Sequence, residues 1–109
     1  MTASTEVLQG TLDLLILKTV ALEPMHGWGI SQRMQQFSHG VLDVNQGSLY
    51  PALQKMLLKE WVTAEWGISE TNRKVRFYRL TRAGRKQLEA ELSDYSRVHE
   101  AIRSVLRTA

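Results

Sequence analysis

The 109-residue sequence predicts a mainly α chain with one small β-hairpin, finished by a long C-terminal helix. Three observations carry this. Apolar residues recur at helical spacing in three successive stretches of the first half. Two later runs alternate with a period of two around a polar connector, as a hairpin does. Large residues then recur from Leu88 to Leu106 in steps of 4, 3, 4, 3 and 4, the spacing of a heptad seam.

The first helix is expected over residues 7–22, with positions 8, 11, 12, 15, 16, 19 or 20 and 22 forming a wide buried face, and Pro24 ends it. A second helix follows His26-Gly27, with Trp28, Ile30, Met34 and Phe37 on its apolar side. Ser38-His39-Gly40 closes it, Gly40 being the expected helix-ending residue. Residues 41–44 alternate briefly. Asn45 then offers an N-cap, with Ser48 as the other choice. The third helix runs to about residue 59, burying Leu49, Ala52, Leu53, Met56 and Leu57. Pro51 belongs near its start; any deeper, its ring meets the carbonyl of Gly47 and distorts the first turn.

Residues 61–68 place Val62, Ala64, Trp66 and Ile68 on one side, and residues 75–81 place Val75 and Phe77 against Tyr78 and Leu80. The connector Ser69-Glu70-Thr71-Asn72-Arg73-Lys74 gives the hairpin a basic tip. Thr81 is a good N-cap for a last helix of about 24 residues, roughly 36 Å long. A domain this small cannot cover such a helix, and the simplest partner for its seam is a second copy of the chain. The order of three helices, a hairpin and a long helix is that of a winged helix-turn-helix. Residues 1–81 are expected to form the winged helix-turn-helix part and 82–109 the dimerisation helix, together one compact unit.

Composition sets limits. The chain is 43% hydrophobic and 23% charged, ordinary for one globular domain. With no Cys there is no disulfide, thiolate zinc site or cysteine nucleophile. The longest aliphatic run is Leu14-Leu15-Ile16-Leu17, far short of the ~20 residues of a membrane span. No basic residue precedes Lys18, so a leader with a basic start is not expected, and the location is expected to be cytoplasmic. His26, His39 and His99 are scattered without metal-ligand spacing, and no phosphate loop, nucleophile elbow or carboxylate pair occurs. No enzyme, metal or cofactor is expected.

The net charge is only +3, but its placement is uneven. Arg73, Lys74, Arg76, Arg79, Arg82, Arg85 and Lys86 fall between residues 71 and 88 with no acid among them, half of the 14 basic residues. The rest of the chain holds 7 bases against 11 acids and is net acidic. Such a footprint fits a polyanionic partner or a solvated basic face. Arg82, Arg85 and Lys86 also oppose the dipole of the last helix, which a need for positive charge beside the wing would explain.

Several segments carry a family resemblance: Leu8-Gln9-Gly10-Thr11-Leu12-Asp13, His26-Gly27-Trp28, Gly47-Ser48-Leu49-Tyr50-Pro51-Ala52-Leu53, Glu65-Trp66-Gly67 and Tyr78-Arg79-Leu80-Thr81-Arg82-Ala83-Gly84. The sequence resembles the PadR-like winged-helix transcriptional regulators, in particular short members with a single C-terminal helix. The resemblance implies a homodimeric DNA-binding repressor whose last helix supplies much of the dimer contact. Some members bind phenolic acids or hydrophobic drugs near that interface. Two positions depart from the family pattern: Glu60 stands where Gly is usual after the third helix, and Trp28 where Tyr is common. At a left-handed position Glu60 costs roughly 1 kcal/mol.

The recognition helix then offers Gln46, Ser48 and Gln54 to base edges, Lys55 and Lys59 to phosphates, and the Tyr50 hydroxyl to a phosphate. Arg73 and Lys74 at the wing tip, and Arg76 along the strand, reach a groove or its phosphates. Arg76 and Arg79 are read as sharing a strand face, with one of them pairing an acid such as Glu65. Leu88, Leu92, Tyr95, His99, Ile102 and Leu106 are the expected dimer interface, and Tyr95 the expected effector contact if a small hydrophobic ligand binds. The partner is double-stranded DNA with a pseudo-palindromic operator. The alternative is a winged-helix protein-interaction module without DNA binding.

Overall fold

The computed structural model describes residues 5–6 and 9–108. Its elements are β1 (Thr5–Glu6), α1 (Gln9–Leu22), β2 (Met25–His26), α2 (Gly27–Phe37), β3 (Leu42–Asp43), α3 (Gln46–Leu58), β4 (Val62–Ile68), β5 (Lys74–Leu80) and α4 (Arg82–Leu106). The expected start of the first helix at Val7 and the burial of Leu8 lie outside the described residues.

α1 is the centre of the molecule, packed by α2, α3, α4 and β5. Leu12, Leu14, Ile16, Leu17 and Val20 are all buried, and Thr19 is buried with its hydroxyl donating to the Leu15 carbonyl at 2.7 Å. A helix surrounded by neighbours has no single apolar face, so Leu14 and Leu17 join the core although the spacing left them out. Leu22, expected inside, is exposed at the helix end.

α2 and α3 form the helix-turn-helix. His26 caps α2, its Nδ1 accepting from the Gly29 N–H at 3.1 Å. Ile30 and Met34 are buried as expected, but Trp28 and Phe37 are exposed, so the buried stripe of α2 is narrower than the spacing suggested. Its end is a Schellman turn in which the His39 N–H bonds the Gln36 carbonyl and the Gly40 N–H bonds the Gln35 carbonyl. The first left-handed residue is therefore His39 at φ 56°, followed by Gly40 at 82°, so Gly40 shares the role expected of it alone.

Asn45 is the N-cap of α3, its side chain accepting from the Ser48 N–H at 2.8 Å. Pro51 sits in the sixth position of this helix, deeper than its first turn, and α3 runs on through it. Leu49, Ala52, Leu53 and Met56 face the core and Leu57 packs at its edge.

α3 ends in a second Schellman turn: the Glu60 N–H bonds the Leu57 carbonyl and the Trp61 N–H bonds the Met56 carbonyl. Glu60 holds φ 62°, so the turn keeps its shape against the preference of a side-chain-bearing residue. Glu60→Gly is therefore expected to stabilise the protein by about 1 kcal/mol, raising the melting temperature several degrees. A thermal melt showing no rise would mean that the Glu60 side chain contributes a compensating contact.

β4 and β5 pair antiparallel from Val62↔Leu80 to Ile68↔Lys74, and β2 adds a third, two-residue strand beside β5. β3 pairs instead with β1, in parallel. The hairpin tip turns through Asn72 at φ 63°. Val62, Ala64, Tyr78 and Leu80 anchor the hairpin to the core, whereas Trp66 and Ile68 on the same strand parity project beyond the helices and are exposed.

Thr81 caps α4, accepting from the Gly84 N–H at 2.9 Å, and its hydroxyl lies 2.6 Å from the Glu60 carbonyl and 2.9 Å from that of Trp61. One threonine thus ties the start of α4 to the turn that ends α3. α4 is 25 residues long, matching the expected length. Three helices with β4–β5 as a wing and a projecting last helix make up a winged helix-turn-helix. Among the described residues, no helix is long and apolar enough to cross a membrane.

Candidate nucleic-acid interface

The N-cap at Asn45 sets the rotation of α3, and burial of Leu49, Leu53 and Met56 turns the opposite row outward. Gln46, Tyr50, Pro51, Gln54 and Leu58 are exposed along that row, and Ser48 is half-buried at its edge. The amides of Gln46 and Gln54 are thus free to meet base edges. Leu58, at the far end, is 77% exposed, and nothing in the structure explains it.

The two lysines of α3 do not behave alike. Lys55 is ion-paired to Asp13 of α1 and only partly exposed, so its ammonium braces α3 against α1. That is a contact besides the phosphate role expected of it: the partner lies 42 residues away, where no local pattern shows it. Lys59 is exposed, its ammonium 5.4 Å from the Trp61 ring centroid.

On the wing, Arg73, Lys74 and Arg76 are exposed and have no acidic partner among the described residues. Lys74 and Arg76 lie 5.2 and 5.8 Å from the Trp66 ring centroid, so the aromatic face holds both cations close to the wing. Arg79 pairs with Glu65 at 3.3 Å, so one of the two arginines does find the expected acid. The two do not share a face, however. They stand three residues apart on β5, and the strand period of two sends them to opposite sides. Arg82, Arg85 and Lys86 are exposed in a first turn of α4 that holds no acid.

Between the start of α2, α3 and the wing lies a cleft of about 240 Å³ lined by His26, Gly27, Trp28, Tyr50, Val75, Arg76 and Tyr78. A second cleft of about 430 Å³ shares His26, Trp28 and Val75 and adds Ser69, Thr71 and Arg73. Neither lining contains a carboxylate. Tyr50 reaches the first because Gly27 has no side chain: a Cβ there would lie 2.6 Å from the Tyr50 hydroxyl. His26 stands edge-on to Phe77 at 5.5 Å. Burial pushes the Tyr78 hydroxyl above its ordinary pKa of 10.0, with neighbouring Arg76 pulling the other way. The sequence reading missed His26, Trp28 and Tyr78 as site residues. His26-Gly27-Trp28 was visible as a motif, but its proximity to the wing comes only from the pairing of β2 with β5.

On α4, Leu88 is buried in the chain's own core, so it does not belong to the exposed seam for which it was a candidate. Leu92, Tyr95, His99, Ile102 and Leu106 are all exposed, joined by Val98 and Val105, which the strict heptad count left out. Tyr95 stacks on His99 with ring centroids 5.3 Å apart. Among the described residues no cluster of three or more His, Asp or Glu is placed to hold a metal ion.

Known proteins share this architecture. An "Uncharacterized protein X" of Lysinibacillus sphaericus is 26% identical over 97 residues, 89% of each chain. The crystal structure of a PadR-like transcriptional regulator from Bacillus cereus superposes with a TM-score of 0.79 at 24% identity, covering 93% of this chain and 96% of that one. A transcriptional regulator from Clostridium thermocellum gives 0.80 at 20% identity, covering 88% and 93%. These two likenesses show the fold. Residues 16–90, from the middle of α1 through the wing into α4, match the transcriptional regulator PadR-like family. The matched stretch includes both helices of the helix-turn-helix and the wing, and with it this chain belongs to the PadR-like family of transcriptional regulators, which are DNA-binding proteins and not enzymes.

Proposed function

We propose that the protein is a homodimeric repressor that reads a pseudo-palindromic operator, with α3 of each copy in a major groove and the wing against the neighbouring backbone. The observation that carries this reading is the charge of the wing: Arg73, Lys74 and Arg76 lack acidic partners among the described residues, beside a helix face bearing the exposed amides of Gln46 and Gln54. The dimer rests on the uncovered apolar stripe of α4. Release by a small hydrophobic or aromatic effector follows the family resemblance, with the Tyr95–His99 stack as the surface it would meet.

The test is anisotropy of a fluorescent duplex from the chain's own upstream region, titrated in salt against unrelated competitor. Arg73→Ala with Lys74→Ala should weaken every duplex similarly and reduce the salt slope by about 2 per chain. Gln54→Ala should instead change the base preference at one position of each half-site. A wing variant with unchanged affinity and slope would sink the basic-wing argument. The exposed Leu58 favours the second reading, a protein-interaction module, which predicts no salt-sensitive duplex binding at all.

A further inference from the structure

The Tyr78 side chain is 6% exposed, yet its hydroxyl bonds to nothing among the described residues. It is not sealed in, since among the described residues no fully buried side-chain polar atom lacks a partner. Tyr78 lines the 240 Å³ cleft, so the cleft is where the hydroxyl meets solvent. A hydroxyl open only to this cleft is satisfied only by what the cleft holds, and a phenylalanine would fill the same volume without that demand. What surrounds it is one-sided. Tyr50 brings a second hydroxyl over Gly27, Arg76 brings a cation, and the start of the 11-residue α2 brings the positive end of a helix dipole with no acid in its first turn. His26 accepts through Nδ1, so in the neutral ring Nε2 carries the proton and is a donor. The lining offers donors and positive charge and no carboxylate.

We propose that this cleft is a prebuilt socket for one phosphate group, and that Tyr78, with Tyr50, Arg76 and the start of α2, grips a single phosphodiester of the bound duplex. This rests on the DNA-binding reading and deepens it. The socket joins α2, α3 and β5, so a phosphate seated in it fixes the angle between recognition helix and wing. The hydroxyls and guanidinium donate to the non-bridging oxygens. No bond is made or broken. The same oxygens occur on free phosphate, and the experiment separates the two sources.

The full-length protein and its Tyr78→Phe variant are titrated with operator duplexes carrying one methylphosphonate at successive positions, and separately with inorganic phosphate, followed by tryptophan fluorescence. Tyr78→Phe should melt at the same temperature or higher, and should weaken duplex binding about tenfold with the salt slope unchanged. At one methylphosphonate position in each half-site the variant should lose nothing further, because both changes remove the same bond. A lower melting temperature would show a structural partner for the hydroxyl and overturn the proposal. So would duplex binding equal to wild type, or losses that add at every position. If Tyr78→Phe affects only inorganic phosphate, the socket takes free phosphate and the phosphodiester assignment falls. If the wild type binds no duplex, the regulatory reading fails by itself. The phosphate titration then still decides the socket: weaker binding by the variant supports it, and equal binding overturns it.

Discussion

Gly84→Ala will destabilise the protein by about 3 kcal/mol or more, lowering the melting temperature by more than about 10 °C. Helix propensity argues for the opposite sign, since alanine inside a helix is worth about 1 kcal/mol over glycine. Sterics decide. An alanine Cβ at position 84 would collide with the Trp61 carbonyl oxygen and lie 2.9 Å from the carbonyl carbon. Backbone atoms cannot rotate away as a side chain can. The Trp61 peptide is held on both sides, its N–H bonded to the Met56 carbonyl at 2.9 Å and its carbonyl accepting from the Thr81 N–H at 3.0 Å. Relief requires α4 to move off the end of α3, breaking the Thr81 hydroxyl contacts as well. Ala83→Gly, at the exposed neighbour, is the comparison and should cost only about 1 kcal/mol. Paired melts settle the matter: a Gly84→Ala protein as stable as wild type would show that α4 is not tied to α3 in this way.

Such junctions explain what could be read in the chain. Asn45 and Thr81 announced their helices because a capping side chain acts within three residues of itself. The hairpin was legible because alternation and a polar connector are also local. What resisted reading is what depends on distant neighbours. α1 carries too many apolar residues for spacing to assign a face, and only the elements around it explain why Leu14 and Leu17 are inside. Lys55 reads as a free surface cation until Asp13 is brought beside it. Trp28 and Phe37 fit an apolar stripe whose width the sequence does not state, and both are exposed. Tyr78 was placed beside Leu80 on one side of its strand, and it is buried there. Its unpaired hydroxyl could not be anticipated from a pattern that records only apolar positions. Arg76 and Arg79 are the opposite case, since strand parity alone was enough to separate them.

On the proposed dimer, Ile102→Asp is expected to convert the protein from two chains to one and to reduce operator affinity at least a hundredfold. On α4 the single chain covers Leu88 but leaves Leu92, Tyr95, Val98, Ile102, Val105 and Leu106 exposed. Contiguous apolar surface of this kind marks an interface. The helix itself needs one: beyond Leu88 some 18 residues of α4 run with little tertiary support, and an isolated helix of that length is marginal in water. Ile102 is 52% exposed, so a charge there leaves the single-chain core intact, whereas Leu88→Asp would strike the core directly. The variant should sediment as one chain with an unchanged melting transition for its core and a weaker helical signal from α4. Its operator affinity should fall because two linked readers gain about a hundredfold or more from effective concentration, which a single reader lacks. Binding to a half-site should barely change. If Ile102→Asp still sediments as two chains, the α4 stripe is not the dimer contact. If it becomes one chain yet holds the full operator as tightly as before, the two copies do not read the operator together.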